Sequence, residues 1–144
     1  MKVRLATVGT LITIPLLLGA CSSGVVTVEV SCDDFMEQQH LSKQVEVGIG
    51  ETFTVTLCSN ASTGFQWVEP AQVSDKGILR QTGHEFIAPG EKDGEPPAPG
   101  AAGQQQWTFE TLRKGTTEVS MEYSRSWEGG EKGEWTFTLT VVVK

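Results

Sequence analysis

Residues 135–143 read Trp-Thr-Phe-Thr-Leu-Thr-Val-Val-Val. Every second residue, from Trp135 to Val143, is large and apolar, and three of the four residues between them are threonines. Successive side chains of a β-strand point to opposite faces of the sheet, so such a run places its large apolar residues on one face. Residues 52–57 read Thr-Phe-Thr-Val-Thr-Leu and show the same alternation. Both segments therefore predict β-strands that are buried on one face and solvated on the other.

Further runs rich in Val, Thr and aromatic residues are separated by short turn signals. They predict strands within residues 26–30, 43–47, 65–69, 78–87, 107–109 and 119–123. Only residues 33–39 could form a short helical turn. Seven or eight short strands at this spacing are typical of two packed sheets, so we predict an all-β sandwich of antiparallel sheets.

The N-terminus has the features of an export signal. Lys2 and Arg4 precede an apolar stretch at residues 5–18, and Leu-Gly-Ala-Cys follows at residues 18–21. This arrangement resembles the bacterial lipobox, in which the cysteine is acylated and becomes the new N-terminus. We expect a signal peptide at residues 1–20 and lipidation at Cys21, with acyl chains such as palmitate. An ordinary signal peptide followed by an incidental cysteine is the alternative.

Three segments follow from this interpretation. After the signal peptide, residues 21–42 would form a lipid-attachment leash and N-terminal extension, and residues 43–144 would form the sandwich domain. The mature protein would be exported and anchored at the extracytoplasmic face of a bacterial membrane. Loss of Lys2 and Arg4 leaves nine basic residues against 18 acidic ones, a net charge of −9. Such a charge argues against nucleic acid as a partner and against electrostatic docking on anionic lipid.

The cysteine count agrees with export. With Cys21 assigned to the lipid, Cys32 and Cys58 remain as an even pair in an oxidising compartment. We predict that they form a disulfide; two buried thiols are the alternative.

Catalytic and metal-binding patterns are weak throughout the sequence. The two histidines, His40 and His84, have no partner at the spacing of a metal site, and Asp33-Asp34 is explained by solvation. Cys58 and a histidine could formally form a nucleophile–base pair, but the disulfide accounts for Cys58. The sequence has no HExxH, GxSxG or phosphate-binding glycine motif. We therefore expect no enzymatic activity, no metal and no cofactor.

Three turns carry the most informative motifs. Residues 60–67 read Asn-Ala-Ser-Thr-Gly-Phe-Gln-Trp, residues 100–103 read Gly-Ala-Ala-Gly, and residues 123–128 read Tyr-Ser-Arg-Ser-Trp-Glu. In this order they resemble the three loop motifs of the chagasin family of cysteine-protease inhibitors. Those motifs are Asn-Pro-Thr-Thr-Gly before an aromatic residue, a Gly-x-Gly-Gly type turn, and Arg-Pro-Trp. The resemblance spans residues 43–144 and implies an immunoglobulin-like β-sandwich with the three loops clustered at one end.

The resemblance also implies a function, namely reversible, competitive, non-covalent inhibition of papain-like cysteine proteases by a three-loop wedge. Loop one (residues 60–65) would meet the catalytic cysteine, while loop two (100–103) and loop three (125–127) would contact the cleft walls. The implied contact residues are Asn60, Ala61, Ser62, Thr63, Gly64 and Phe65 in loop one, Gly100, Ala101, Ala102 and Gly103 in loop two, and Arg125, Ser126 and Trp127 in loop three. We expect a monomer. The alternative is an immunoglobulin-like envelope lipoprotein that binds a non-protease partner.

Some side chains admit two interpretations. Trp127 could bind the protease or cap the end of the sandwich, Phe65 is undecided, and we expect Trp67 to pack between the sheets. The sequence also departs from the family motifs: Ala61 and Ser126 stand where the family has proline, and Ala102 stands where glycine is usual. Residues 88–103 are rich in Pro and Gly, which is typical either of a functional loop or of a flexible insertion.

Overall fold

A computed structural model describes residues 25–90 and 94–144. The predicted signal peptide, the predicted lipidation site and the start of the leash lie outside the described residues. The described part of the chain forms nine strands, one short helix and one 3-10 turn. They are β1 (Val26–Val30), α1 (Cys32–Glu37), β2 (His40–Val47), β3 (Thr52–Ser59), the 3-10 turn Ala61–Thr63, β4 (Phe65–Trp67), β5 (Gln72–Val73), β6 (Leu79–Ile87), β7 (Gly103–Thr111), β8 (Gly115–Arg125) and β9 (Trp135–Val143).

The strands form two sheets, which confirms the predicted all-β sandwich. One sheet has the order β1-β3-β7-β6, and the other has the order β2-β9-β8-β4 with β5 beside β8. Most neighbours are antiparallel, but β1 runs parallel to β3 and β2 runs parallel to β9, so both sheets are mixed. The reason is that α1 carries the chain from an edge of one sheet to an edge of the other instead of closing a hairpin. Among the described residues, no helix is long and apolar enough to cross a membrane.

Alternating side chains from both sheets fill the core. Along β7 every second residue is buried, and Trp107 and Phe109 have no solvent exposure. Phe53 lies opposite Phe109 in the ladder, and the centres of their rings are 5.4 Å apart. Burying a large apolar side chain stabilises the fold by about 1.5–3 kcal/mol. This interior holds the two sheets in a fixed relationship, and therefore also holds the loops at their ends.

The sandwich begins earlier in the chain than the predicted boundary at Lys43. β1 pairs with β3 from Val26 to Val30, and Phe35 in α1 is completely buried. The Phe35 ring stacks on Trp135 with the ring centres 5.0 Å apart. Residues 26–42 therefore belong to the same core as the rest of the domain, because they supply an edge strand and an aromatic side chain to it.

Two local features hold α1 in place. Ser31 caps the helix: its hydroxyl accepts from the amide of Asp34, whose carboxylate accepts from the Ser31 amide at 2.9 Å. The hydrogen bonds from the Ser31 hydroxyl and amide lower the pKa of the Asp34 carboxyl. The second feature is the predicted disulfide, which the structure confirms between Cys32 and Cys58, with a Cα–Cα distance of 5.0 Å. The bridge joins the start of α1 to the end of β3.

Candidate functional site

Loops one, two and three lie at the same end of the sandwich, which we call the loop end. Ser59 at the end of β3 pairs with Gly103 at the start of β7. Phe65 at the start of β4 pairs with Arg125 at the end of β8. The strand ends that flank all three loops are therefore adjacent, and the structure brings the three sequence motifs together.

The shape of loop one is set by its own side chains. The Asn60 side-chain oxygen accepts from the Ser62 amide at 3.2 Å and from the Ser62 hydroxyl at 2.6 Å. The Thr63 hydroxyl donates to the Asn60 carbonyl at 2.7 Å. Gly64 ends the 3-10 turn with φ +80°, a left-handed backbone conformation that is unfavourable for residues with a Cβ. Loop one is consequently ordered by short hydrogen bonds before any partner binds.

Asn60 also joins loop one to the core and to loop two. Its amide donates to the hydroxyl of Tyr123 at 2.8 Å, and that hydroxyl donates to the Asn60 carbonyl at 3.3 Å. Its side-chain nitrogen donates to the carbonyl of Gly100 at 3.0 Å. Tyr123 was predicted as a strand residue and as the first residue of the third motif, and neither prediction assigned it this role. The available signal was its position, as the single tyrosine of the chain, just before the Arg-Ser-Trp motif.

Loop three packs against loop one through Arg125 and Trp127. The Trp127 side chain is 52% exposed, and part of its ring lies over Gly64. The guanidinium carbon of Arg125 is 4.4 Å from the centre of the Phe65 ring and 5.6 Å from the Trp127 ring. Cations within about 6 Å of an aromatic centre are attracted to its face. The two loops therefore present one continuous surface with a half-exposed indole at its edge.

Other predicted site residues have different environments. The structure exposes Ala61, Ser62, Thr63, Gly100, Ala101, Ala102 and Ser126. Phe65 is buried beneath Arg125, and Trp67 is buried between the sheets, where its indole nitrogen donates to the Cys58 carbonyl at 2.9 Å. Gly103 is buried as the first residue of β7. A Cβ at this position would collide with the carbonyl of Ile87, so Gly103 permits close approach of β6 and β7.

The chemistry at the loop end is that of a contact surface. Cys58 is held in the disulfide. His40 forms a hydrogen bond with Thr136, and His84 forms one with Gln105, each at 2.9 Å. Within residues 25–90 and 94–144, no group of three or more His, Cys, Asp or Glu side chains is placed to hold a metal ion. The described surface therefore offers shape, an exposed aromatic ring and a cation for recognition.

A β-sandwich that presents mutually braced loops at one end is a binding module. Residues 46–141 match the family described as "Chagasin family peptidase inhibitor I42", and the chain belongs to this family. Its members are inhibitors of peptidases and not enzymes. None of the curated protein sequences compared with this chain matches it.

Several solved structures share the fold. The crystal structure of the cysteine protease inhibitor EhICP2 from Entamoeba histolytica has a TM-score of 0.61 and 19% identity, covering 83% of this chain and 97% of that one. The solution structure of Amebosin has a TM-score of 0.54 and 22% identity, covering 84% and 100%. PbICP-C, solved in complex with falcipain-2, has a TM-score of 0.53 and 13% identity, covering 81% and 98%. These similarities establish that the immunoglobulin-like architecture of the chagasin family is present here.

Proposed function

We propose that this protein inhibits papain-like cysteine proteases reversibly, competitively and without a covalent bond, using loops one, two and three as its contact surface. Membership of the family supports inhibition of a peptidase. Among proteins of the same fold, EhICP2 is described as a cysteine protease inhibitor and PbICP-C is bound to falcipain-2. The observation that carries the proposal is the packing of Trp127 on Gly64, because it unites the loop one and loop three motifs in one surface.

The braced loops suit competitive inhibition. A surface that is already ordered loses less conformational entropy on docking than a mobile one. Here Asn60 connects loop one to loop two through Gly100, and Arg125 connects loop three to loop one. The end of the sandwich can therefore enter a cleft as a unit.

The backbone of loop one also explains how an inhibitor in an active site avoids cleavage. The Asn60 carbonyl accepts from the Thr63 amide, and the Ala61 carbonyl accepts from the Gly64 amide, each at 3.2 Å. Hydrolysis of a peptide bond requires its carbonyl oxygen to reach the hydrogen-bond donors that stabilise the developing oxyanion. Carbonyls held within a 3-10 turn are not free to do so, and the turn would have to open before attack.

Trp127 and Arg125 are the expected affinity anchors. Trp and Arg are the residue types that most often dominate the energy of protein interfaces. Half of the Trp127 side chain is available to a partner, and its other side is supported by Gly64. The guanidinium carbon of Arg125 lies 4.4 Å from the Phe65 ring centre and 5.6 Å from the Trp127 ring centre, and these contacts restrict its orientation before binding.

The test is a titration of papain with the mature protein in the presence of a fluorogenic peptide substrate. We expect the apparent KM to rise with inhibitor concentration, kcat to remain constant, and activity to return on dilution. Heat-denatured protein at the same concentration is the control. Full papain activity at micromolar concentrations of the folded protein would contradict the proposal and favour a non-protease partner for an envelope lipoprotein.

The location that we propose is the extracytoplasmic face of a bacterial membrane, with the signal peptide at residues 1–20 and the lipid at Cys21. The Leu-Gly-Ala-Cys sequence supports this location. The disulfide between Cys32 and Cys58 is also consistent with an oxidising compartment. In this arrangement a monomeric inhibitor domain would face the proteases outside the cytoplasm.

A further inference from the structure

Helix α1 lies at the loop end, beside the three loops. β1 runs towards this end, since its last residue Val30 pairs with Leu57 near the end of β3. β2 runs away from it, beginning with His40 opposite Thr136 at the start of β9. The intervening helix therefore crosses the loop end from one sheet to the other. It lies outside the residues 46–141 that match the family.

An open groove of about 410 Å³ separates α1 from the loops. We call it the loop-end groove. Met36 lines it from α1, Asn60 and Thr63 line it from loop one, and Arg125 lines it from loop three, with Tyr123 and Trp135 also contributing. Met36 is 69% exposed. A large exposed apolar side chain beside an apolar concavity marks a surface suited to a partner.

The helix presents Met36 from a fixed position. Its neighbour Phe35 is fully buried and stacks on Trp135, which itself lines the groove. The disulfide at Cys32 and the cap at Ser31 hold the start of the helix. Only the side chain of Met36 then needs to be ordered on binding, which limits the entropic cost.

We propose that α1 is a fourth protease-contacting element and that the loop-end groove receives an apolar side chain from the rim of the protease cleft beside Met36. This inference rests on the proposed function. Asn60, Thr63 and Arg125 belong both to the groove and to the three-loop surface, so a protease seated on the loops extends over the groove. Methionine adapts its shape to different partners, so Met36 helps to determine which proteases are bound tightly.

Three substitutions of Met36 separate an apolar contact from other effects. Met36→Ala removes the contact, Met36→Gln keeps the length but makes the end polar, and Met36→Leu keeps an apolar side chain. Ile49→Ala is the matched control, because Ile49 is 48% exposed in the turn between β2 and β3 at the opposite end. Inhibition constants are measured against papain, and thermal unfolding is recorded for each variant.

We expect the Ala and Gln variants to raise the inhibition constant roughly five- to twentyfold, as the loss of a buried apolar interface contact does. The Leu variant should stay within about twofold of the original protein, and Ile49→Ala should have no effect. Because Met36 is exposed, unfolding temperatures should not change. Normal inhibition by all three Met36 variants would overturn the inference.

The outcomes for the inference and for the proposed function are distinguishable. If the original protein does not inhibit papain, the proposed function fails. If the original protein inhibits papain and Trp127→Ala weakens that inhibition, but the Met36 substitutions leave it unchanged, only the inference fails.

Hydrogen–deuterium exchange gives a second test on the unaltered protein. Slower exchange at residues 32–37 in the papain complex supports contact through α1, and unchanged exchange there overturns it.

Discussion

The indole ring of Trp127 lies so close to Gly64 that no other residue fits beneath it. A Cβ at position 64 would be 2.6 Å from Cη2 of the ring, a distance shorter than Cβ atoms show to other heavy atoms in protein structures. The backbone at Gly64 also has φ +80°. Two independent constraints therefore select glycine at this position, one from the turn in loop one and one from the ring in loop three.

Gly64→Ala should consequently disturb both loops. We expect the inhibition constant to rise about tenfold or more, because the Trp127 ring must leave its position and the 3-10 turn of loop one must change its backbone conformation. Gly50→Ala is a matched control, since Gly50 has φ +75° and lies in a turn at the opposite end, where an added Cβ would meet no atom within 4 Å. Both variants should lose about 1–2 kcal/mol of stability from the left-handed backbone. Equal inhibition by the two variants would show that the Trp127–Gly64 contact does not shape the binding surface.

Trp127→Ala tests the anchor itself. Removing this side chain should weaken protease binding by ~2 kcal/mol or more, mainly through faster dissociation. Its effect on thermal unfolding should be small because half of the ring is in solvent. Leu112→Ala, at an exposed position in the turn between β7 and β8, is the control. A variant that binds papain normally but unfolds much more easily would identify Trp127 as a structural cap.

The fold was more predictable than the details of the site. Alternation in β8 and β9 predicted strands correctly because each of these strands has one face in the core. β3 is also a strand, but its prediction as solvated on one face was wrong beyond Thr54, since every residue from Val55 to Ser59 is buried. Alternation does not encode the neighbour of a strand, so the parallel pairing of β1 with β3 and of β2 with β9 was not predicted.

Within the candidate site, the three motifs indicated loops that the structure brings together, but not the environment of each residue. Gly103 falls in a loop motif yet is buried at the start of β7, since the motif extends past the end of the loop. The position of Tyr123 beneath Asn60 depends on the packing of two sheets, and sequence spacing does not reveal it. The position of Met36 beside the loop-end groove likewise depends on the path of the chain through α1.

Replacing Cys32 and Cys58 with serine should destabilise the domain. A bridge across 26 residues stabilises a fold by about 2–4 kcal/mol, so we expect the unfolding temperature to fall by roughly 10 °C. Inhibition should weaken as well, because the bridge fixes α1 and the strand that leads into loop one. Differential scanning calorimetry and papain assays measure the two effects. Unchanged unfolding and inhibition in the double variant would mean that the bridge contributes neither stability nor alignment of the loops.

The N-terminal prediction is tested by Cys21→Ala in the full chain expressed in bacteria. The original protein should enter the detergent phase on partitioning, and the variant should remain aqueous or accumulate unprocessed, because the acylated cysteine is missing. Ser22→Ala serves as a control that leaves the cysteine in place. A wholly aqueous original protein with cleavage before Cys21 would instead support an ordinary signal peptide.

Ala61→Pro tests whether the backbone of loop one matches that of the family. Ala61 is the first residue of the 3-10 turn, a position where the proline ring fits and the missing N–H is tolerated. Asn60 before it is extended, with φ −114° and ψ 91°, and so avoids the α region that a following proline disfavours.

The substitution should leave the conformation of the folded loop unchanged and restrict the chain when the loop opens or the domain unfolds, which stabilises the ordered loop. We expect protease binding to tighten by a few tenths to ~1 kcal/mol. Ala101→Pro is the matched control in loop two, where the Ala101 amide donates to the Ala98 carbonyl at 3.0 Å and proline would remove that hydrogen bond. Inhibition constants for the two variants should therefore change in opposite directions. If Ala61→Pro weakens inhibition while the domain stays folded, the turn must open or rearrange on the protease, and loop one does not bind in the conformation seen here.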